Sequence, residues 1–172
     1  MQAFDWNKYA ISEEDRATAS VYLGSLYTPP DLVIAPLGEP YLFRWHIIRR
    51  RGEGNVYFHI QVASDPERPL HDHPWANMSV ILSGGYDEIV QRHTPHGQIF
   101  ERELRRGDVA FREAQEAHRL ILPKGISYTM TQFATGPITR KWGFWYPEGF
   151  RPYEDVVENL ADGRTVLREE AK

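Results

Sequence analysis

Three histidines carry the chemistry legible in this sequence. His71 and His73 stand two apart in His71-Asp72-His73-Pro74-Trp75, at the mouth of an apolar run that ends at Gly84-Gly85. His118 follows about forty-five residues later. Residues two apart in a strand share a face, so the first pair can converge on one ion. Neutral imidazole is the commonest metal-ligand side chain. Three histidines from two strands facing one barrel interior make a facial set with open coordination positions, which an ion needs to bind substrate or oxygen. Glu88 and Asp72 are backup carboxylate ligands, although Asp72 points away from its neighbours in a regular strand. The plain alternative for His71 and His73 is a solvated pair at a loop–strand junction.

Composition narrows the classes of function. With 172 residues and 41% hydrophobic composition, the chain suits a single domain over 1–172, with a barrel core at about 41–146. Twenty basic residues against 24 acidic ones, a net of −4, give no global field for nucleic acid or an anionic membrane surface. Zero cysteines exclude disulfides, thiolate metal sites and a cysteine nucleophile, leaving histidine and carboxylate as ligands. The amino-terminal stretch Met1 to Lys8 has no basic region leading into an apolar one, and no run approaches the ~20 apolar residues that span a bilayer. A soluble, cytoplasmic protein with no nucleic-acid or membrane partner is expected.

The elements that must position the histidines are mostly strands. Ser12-Glu13-Glu14-Asp15 reads as a helix N-cap and acidic first turn, with the helix reaching Leu26 and Thr28-Pro29-Pro30-Asp31 stopping it. The first forty residues then form a wrap outside the core. Alternation from Tyr41 to Arg49 and from Val56 to Ala63, around Arg51-Gly52-Glu53-Gly54-Asn55, predicts a hairpin. In its second strand Tyr57, His59 and Gln61 share a face, which on a half-buried strand usually meets solvent and in the minority of cases a cavity. His71 to Leu82 reads as one strand, and further strands are predicted at 86–91, 99–104, 109–111, 118–122, 128–133 and 140–146. Pro152-Tyr153-Glu154-Asp155 opens a short helix to Leu160, and the tail from Asp162 to Lys172 is polar. Eight or nine short strands with turns every 8–12 residues mean an all-β sandwich or barrel.

The histidine spacing resembles the cupin superfamily, a double-stranded β-helix (jelly-roll barrel) with two metal-binding motifs. The first motif matches at His71-x-His73 with Gly84 or Gly85 closing it, and the second matches at Gly107 and His118. The glutamate of the first motif would fall at Asn77 or Met78, the Pro-x-Gly of the second is Glu113-Ala114-Gln115, and its terminal Asn is Leu122. Without that glutamate, the site looks more like the thiol dioxygenases of the cysteine dioxygenase type, which hold Fe(II) with three histidines. They too show His-Asp-His and His-Arg, as in His71-Asp72-His73 and His118-Arg119. Gly84-Gly85-Tyr86-Asp87-Glu88 and Trp142-Gly143-Phe144 also look like segments of cupin-like proteins from bacteria and phages. By this resemblance the chain is an O2-dependent oxygenase for a small thiol or carboxylate, working as a homodimer.

Around the metal ligands His71, His73 and His118, six residues are candidate substrate contacts. Arg44 is the preferred carboxylate clamp, because the thiol dioxygenases place an arginine on a strand upstream of the first motif and guanidinium matches a carboxylate bidentately. His46 and His59 sit on adjacent predicted strands, where a core hydrogen bond explains either equally well. Tyr57 and Tyr86, with Tyr128 outside that set, can donate to a bound oxygen species, and Trp142, like Trp75 and Trp145, suits core or pocket wall. His93 and His96 flank Pro95 in a polar turn and read as solvated. Iron(II), Fe2+, is the first metal, with Ni2+, Mn2+ and Zn2+ as alternatives. The alternative functions are a metal-dependent binding or sensing barrel, a non-oxidative isomerase or lyase, and an interaction module that keeps only the fold.

Overall fold

A computed structural model describes residues 2–66, 69–92, 97–161 and 164–168. Ser12 caps the first helix, its Oγ accepting from the Asp15 N–H at 3.2 Å, and α1 spans Glu13–Leu23. Gly24, in the left-handed conformation at φ 70°, ends the helix there and not at Leu26.

The rest is built from strands: β1 (Leu32–Ile34), β2 (Leu42–Arg50), β3 (Gly54–Gln61), β4 (Leu70–His71), β5 (Asn77–Ser83), β6 (Gly85–Gln91), β7 (Ile99–Arg105), β8 (Val109–Arg112), β9 (Ala117–Ile121), β10 (Thr129–Thr135), β11 (Gly143–Tyr146) and β12 (Gly149–Pro152). One helical turn, α2 (Tyr153–Val156), precedes β13 (Val157–Asn159) and β14 (Arg164–Leu167). Eight strands form one sheet in the order β13-β14-β1-β2-β3-β10-β5-β8, and six form the other in the order β12-β11-β4-β9-β6-β7. The fold is all-β, a double-stranded β-helix. Among the described residues no helix is long and apolar enough to cross a membrane.

The amino-terminal wrap covers the outer face of the larger sheet. Phe4, Trp6, Ile11 and Ala19 pack there on Phe43, Trp45, Phe58, Ile60 and Met130. Buried Asp15 ties α1 to the barrel, accepting from Ser83 Oγ at 2.7 Å and from the Tyr128 hydroxyl at 2.5 Å. With Phe58 and Ile60 committed to that layer, the alternate residues of β3 turn inward, and His59 and Gln61 line a cavity. The polar row of β3 therefore faces the barrel interior and not solvent.

Four expectations are corrected. The first forty residues are not wholly outside the sheets, since β1 pairs with both β2 and β14. The strand expected from His71 to Leu82 is broken: the Asp72 N–H turns to Gly143 O and the His73 N–H to Ala114 O, Pro74 has no N–H, and β5 resumes at Asn77 in the other sheet. The helix expected to reach Leu160 stops at Val156, because the β-branched pair Val156-Val157 is buried beside Phe144 and Leu167. Part of the polar tail is strand β14, and β12 and β13 were not expected. The turn carrying His93 and His96 lies outside the described residues.

Gly84, which joins β5 to β6, is held at φ 68°, and a Cβ there would meet the Tyr128 carbonyl oxygen at 2.3 Å. Gly84→Ala is expected to destabilise the protein by about 2 kcal/mol or more, combining left-handed strain with backbone collision. Urea unfolding measures this, and an unchanged midpoint would contradict it.

Candidate metal centre

β4 and β9 meet at one register position, with His71 opposite His118. His73 follows just past the end of β4, so the first pair is not presented by a regular strand; the Ala114 carbonyl holds its backbone at 3.2 Å. One ligand atom from each of His71, His73 and His118 lies within 4.8 Å of the others. His73 Nε2 and His118 Nε2 are 2.8 Å apart. Metal–nitrogen bonds of about 2.0–2.1 Å meeting near a right angle place two nitrogens about 2.8–3.0 Å apart, so this edge fits a facial divalent site.

The protonation of the cluster supports the same fit. His118 Nδ1–H donates to Glu88 Oε1 at 2.6 Å, which leaves the Nε2 lone pair facing the other histidines. Burial first, and then His118, His71, Arg112 and Arg44, push the His73 pKa well below its usual value, so this imidazole is neutral at physiological pH.

Glu88 stands behind the cluster and is no ligand. Its Oε1 also receives Arg112 Nε–H, and its Oε2 receives Arg102 Nε–H at 2.7 Å. Burial acts to raise the Glu88 pKa, but the Arg112 charge and the His118 hydrogen bond overcome it, leaving the group well below the ordinary carboxylate range. Arg112 spends its remaining donors on Asn77 Oδ1 at 3.2 Å, Ser79 Oγ at 2.9 Å and the Tyr86 hydroxyl oxygen at 3.2 Å. Asp72 is likewise turned away. It accepts from the Gly143 N–H at 2.9 Å, from Trp145 Nε1–H at 3.0 Å and from Arg140, and so pins the chain where it leaves β4.

The histidines open into a cavity of about 350 Å³. Arg44, His59, Tyr86 and Trp142 line it, whereas His46 and Tyr57 lie outside its lining. His46 sits beside Asp31 and Arg49. Tyr57 lies under Arg44, with the guanidinium carbon 4.7 Å from the ring centroid. Arg44 Nε–H donates to His59 Nε2 at 2.9 Å, and His59 stacks on Phe133 with centroids 5.0 Å apart. Among the described residues Arg44 forms no ion pair with a carboxylate. Burial lowers its pKa, which Tyr57 and Tyr41 oppose.

The sequence reading missed Arg112, Ser79 and Phe133, and the wall contributed by Tyr153, Val157 and Thr165. Arg112 had a signal, since Ala110 and Arg112 alternate with the exposed Val109 and Phe111 on β8. Nothing local marks the others.

Two outcomes are expected. Glu88→Gln removes the charge that fixes His118 and Arg112, and should weaken metal binding about 10–100-fold, measured by competition with a chelating dye; unchanged affinity would contradict the arrangement. Burial, with Arg44 and His46, also holds the His59 pKa well below 6.5. The unfolded chain therefore takes up the His59 proton first as pH falls below about 6.5, and stability drops there by up to about 1.4 kcal/mol per pH unit. His59→Gln should reduce that slope in urea unfolding between pH 7 and 5, and an identical slope would count against it.

No family model matches the chain, and no curated protein matches it. Solved structures do. DMSP lyase DddQ from Ruegeria pomeroyi DSS-3 is 19% identical, with 63% of this chain and 54% of that one covered and a TM-score of 0.49. Fe(II) HppE in complex with substrate is 16% identical, covering 63% and 58% with a TM-score of 0.50. A conserved protein with a double-stranded β-helix domain from Klebsiella pneumoniae subsp. pneumoniae MGH 78578 is 16% identical, covering 65% and 90% with a TM-score of 0.45. The chain spans just over half the length of the first two. What the chain shares with these structures is the fold, two facing sheets of a double-stranded β-helix.

Proposed function

We propose that this protein is a mononuclear non-haem iron(II) oxygenase that uses O2 on a small molecule bearing a carboxylate or a thiol. The observation that carries this reading is the three-histidine cluster, with no carboxylate among its members, in a cavity that Arg44 also lines. Among the described residues Arg44 forms no ion pair with a carboxylate, and Asp65, the one lining carboxylate, accepts the Leu120 N–H at 2.8 Å. A divalent ion would add two further positive charges, so the site suits an anion. When bound, the ion supplies Lewis acidity and open coordination positions for the reactants. Iron is preferred over nickel, manganese or zinc because this imidazole set suits it and HppE, in the same barrel, holds Fe(II).

The chain's own residues have separable tasks. Arg44 binds the substrate carboxylate through its two terminal nitrogens, while Nε–H is spent on His59 and the plane rests on Tyr57. The Tyr86 oxygen accepts from Arg112, which leaves its hydroxyl proton to donate to a reacting group in the cavity. Trp75, stacked on His73 with centroids 4.7 Å apart, and Phe133 exclude water from the histidines.

Protein reconstituted anaerobically with Fe(II) and screened with small thiols and carboxylates should consume O2 in proportion to the substrate lost, followed with an oxygen electrode. Arg44→Met should raise KM about tenfold or more with a smaller change in kcat. Equal turnover under nitrogen would contradict the oxygenase and assign the site to a lyase or isomerase.

A further inference from the structure

Beside Arg44 one wall of the cavity is aliphatic. On β2, Leu42 and Arg44 share the inward face, and the β1 register sets Leu32 beside Arg44 and Ile34 beside Leu42. All of these line the cavity, with Leu120 facing them from β9, two residues after His118. β1 lies between β14 and β2, and its Val33 is buried on the other face, yet Leu32 and Ile34 keep partial exposure. That exposure belongs to the cavity. A row of inward aliphatic side chains along a cavity wall is a surface shaped for an apolar ligand group.

We infer that the substrate is a carboxylate with an aliphatic body, its head at Arg44 and its chain along Leu32, Ile34, Leu42 and Leu120. This rests on the reading of Arg44 as the carboxylate seat and narrows it to substrates with an aliphatic chain.

The test is calorimetric binding to zinc-loaded protein of propionate, butanoate, hexanoate and octanoate. Each methylene from propionate to hexanoate should tighten binding about fourfold. Ile34→Trp should flatten the series, with Thr165→Trp, at the partly exposed position paired with Ile34, as the second variant should the first fail to fold by circular dichroism. A flat series in the unaltered protein overturns the inference. If propionate binding is lost in Arg44→Met while the series is flat, the carboxylate seat stands and only the aliphatic lobe fails. If no alkanoate binds, or Arg44→Met binds propionate unchanged, the seat itself is wrong and the inference falls with it.

Discussion

Glu88 is a fully buried carboxylate that accepts from Arg112, Arg102 and His118 at once, and the architecture of the site depends on it. A buried charge is costly unless its partners are close and well oriented. Here the partners come from different strands: Glu88 from β6, Arg102 from β7, Arg112 from β8 and His118 from β9. Arg112, itself fully buried, then reaches Asn77 and Ser79 on β5 and Tyr86 on β6. One carboxylate thus links both sheets and sets the direction in which a metal ligand points. Removing it would strand the Arg112 charge inside the barrel, which links the stability of the fold to the orientation of the histidines.

Both acidic residues near the cluster are placed behind it. Glu88 holds His118 from the rear, and Asp72 anchors the crossover between His71 and His73 through Gly143, Trp145 and Arg140. Their charges are matched by arginines and add nothing negative to the metal face. Among the described residues Arg44 lines the cavity beside the three imidazoles without an ion pair to a carboxylate, and Asp65 is the one carboxylate in the lining. Aromatic rings close the histidine end, with Trp142 stacked on Tyr153 at 4.7 Å between centroids, and Leu32, Ile34, Leu42 and Leu120 form an aliphatic wall.

The parts of this arrangement that were legible in the sequence are those set by local chemistry. Residue type and spacing marked His71, His73 and His118, glycine turns marked the hairpins, and alternation marked β2 and β3. The polar row of β3 shows the limit of that signal. A period of two says that Tyr57, His59 and Gln61 share a face, but the face that becomes interior is decided by where the amino-terminal wrap packs, which is a long-range fact. The break after His71 has the same origin, since the hydrogen bonds that divert the chain go to Gly143 and Ala114, far away in sequence. Short strands such as β1 and β13 carry too few residues to show a period, and they become strands through their neighbours. The resemblance located the three histidines but could not supply Arg112, whose role exists only because Glu88 is buried opposite it.

The most direct measurement is the metal content of the protein purified from its own host, by inductively coupled plasma mass spectrometry, beside the His71→Ala variant. The account predicts close to one transition-metal ion per chain, lost in the variant while the protein stays folded by circular dichroism. Absence of any transition metal from the unaltered protein, persisting after anaerobic reconstitution with Fe(II), would contradict the three-histidine centre on which the functional reading stands.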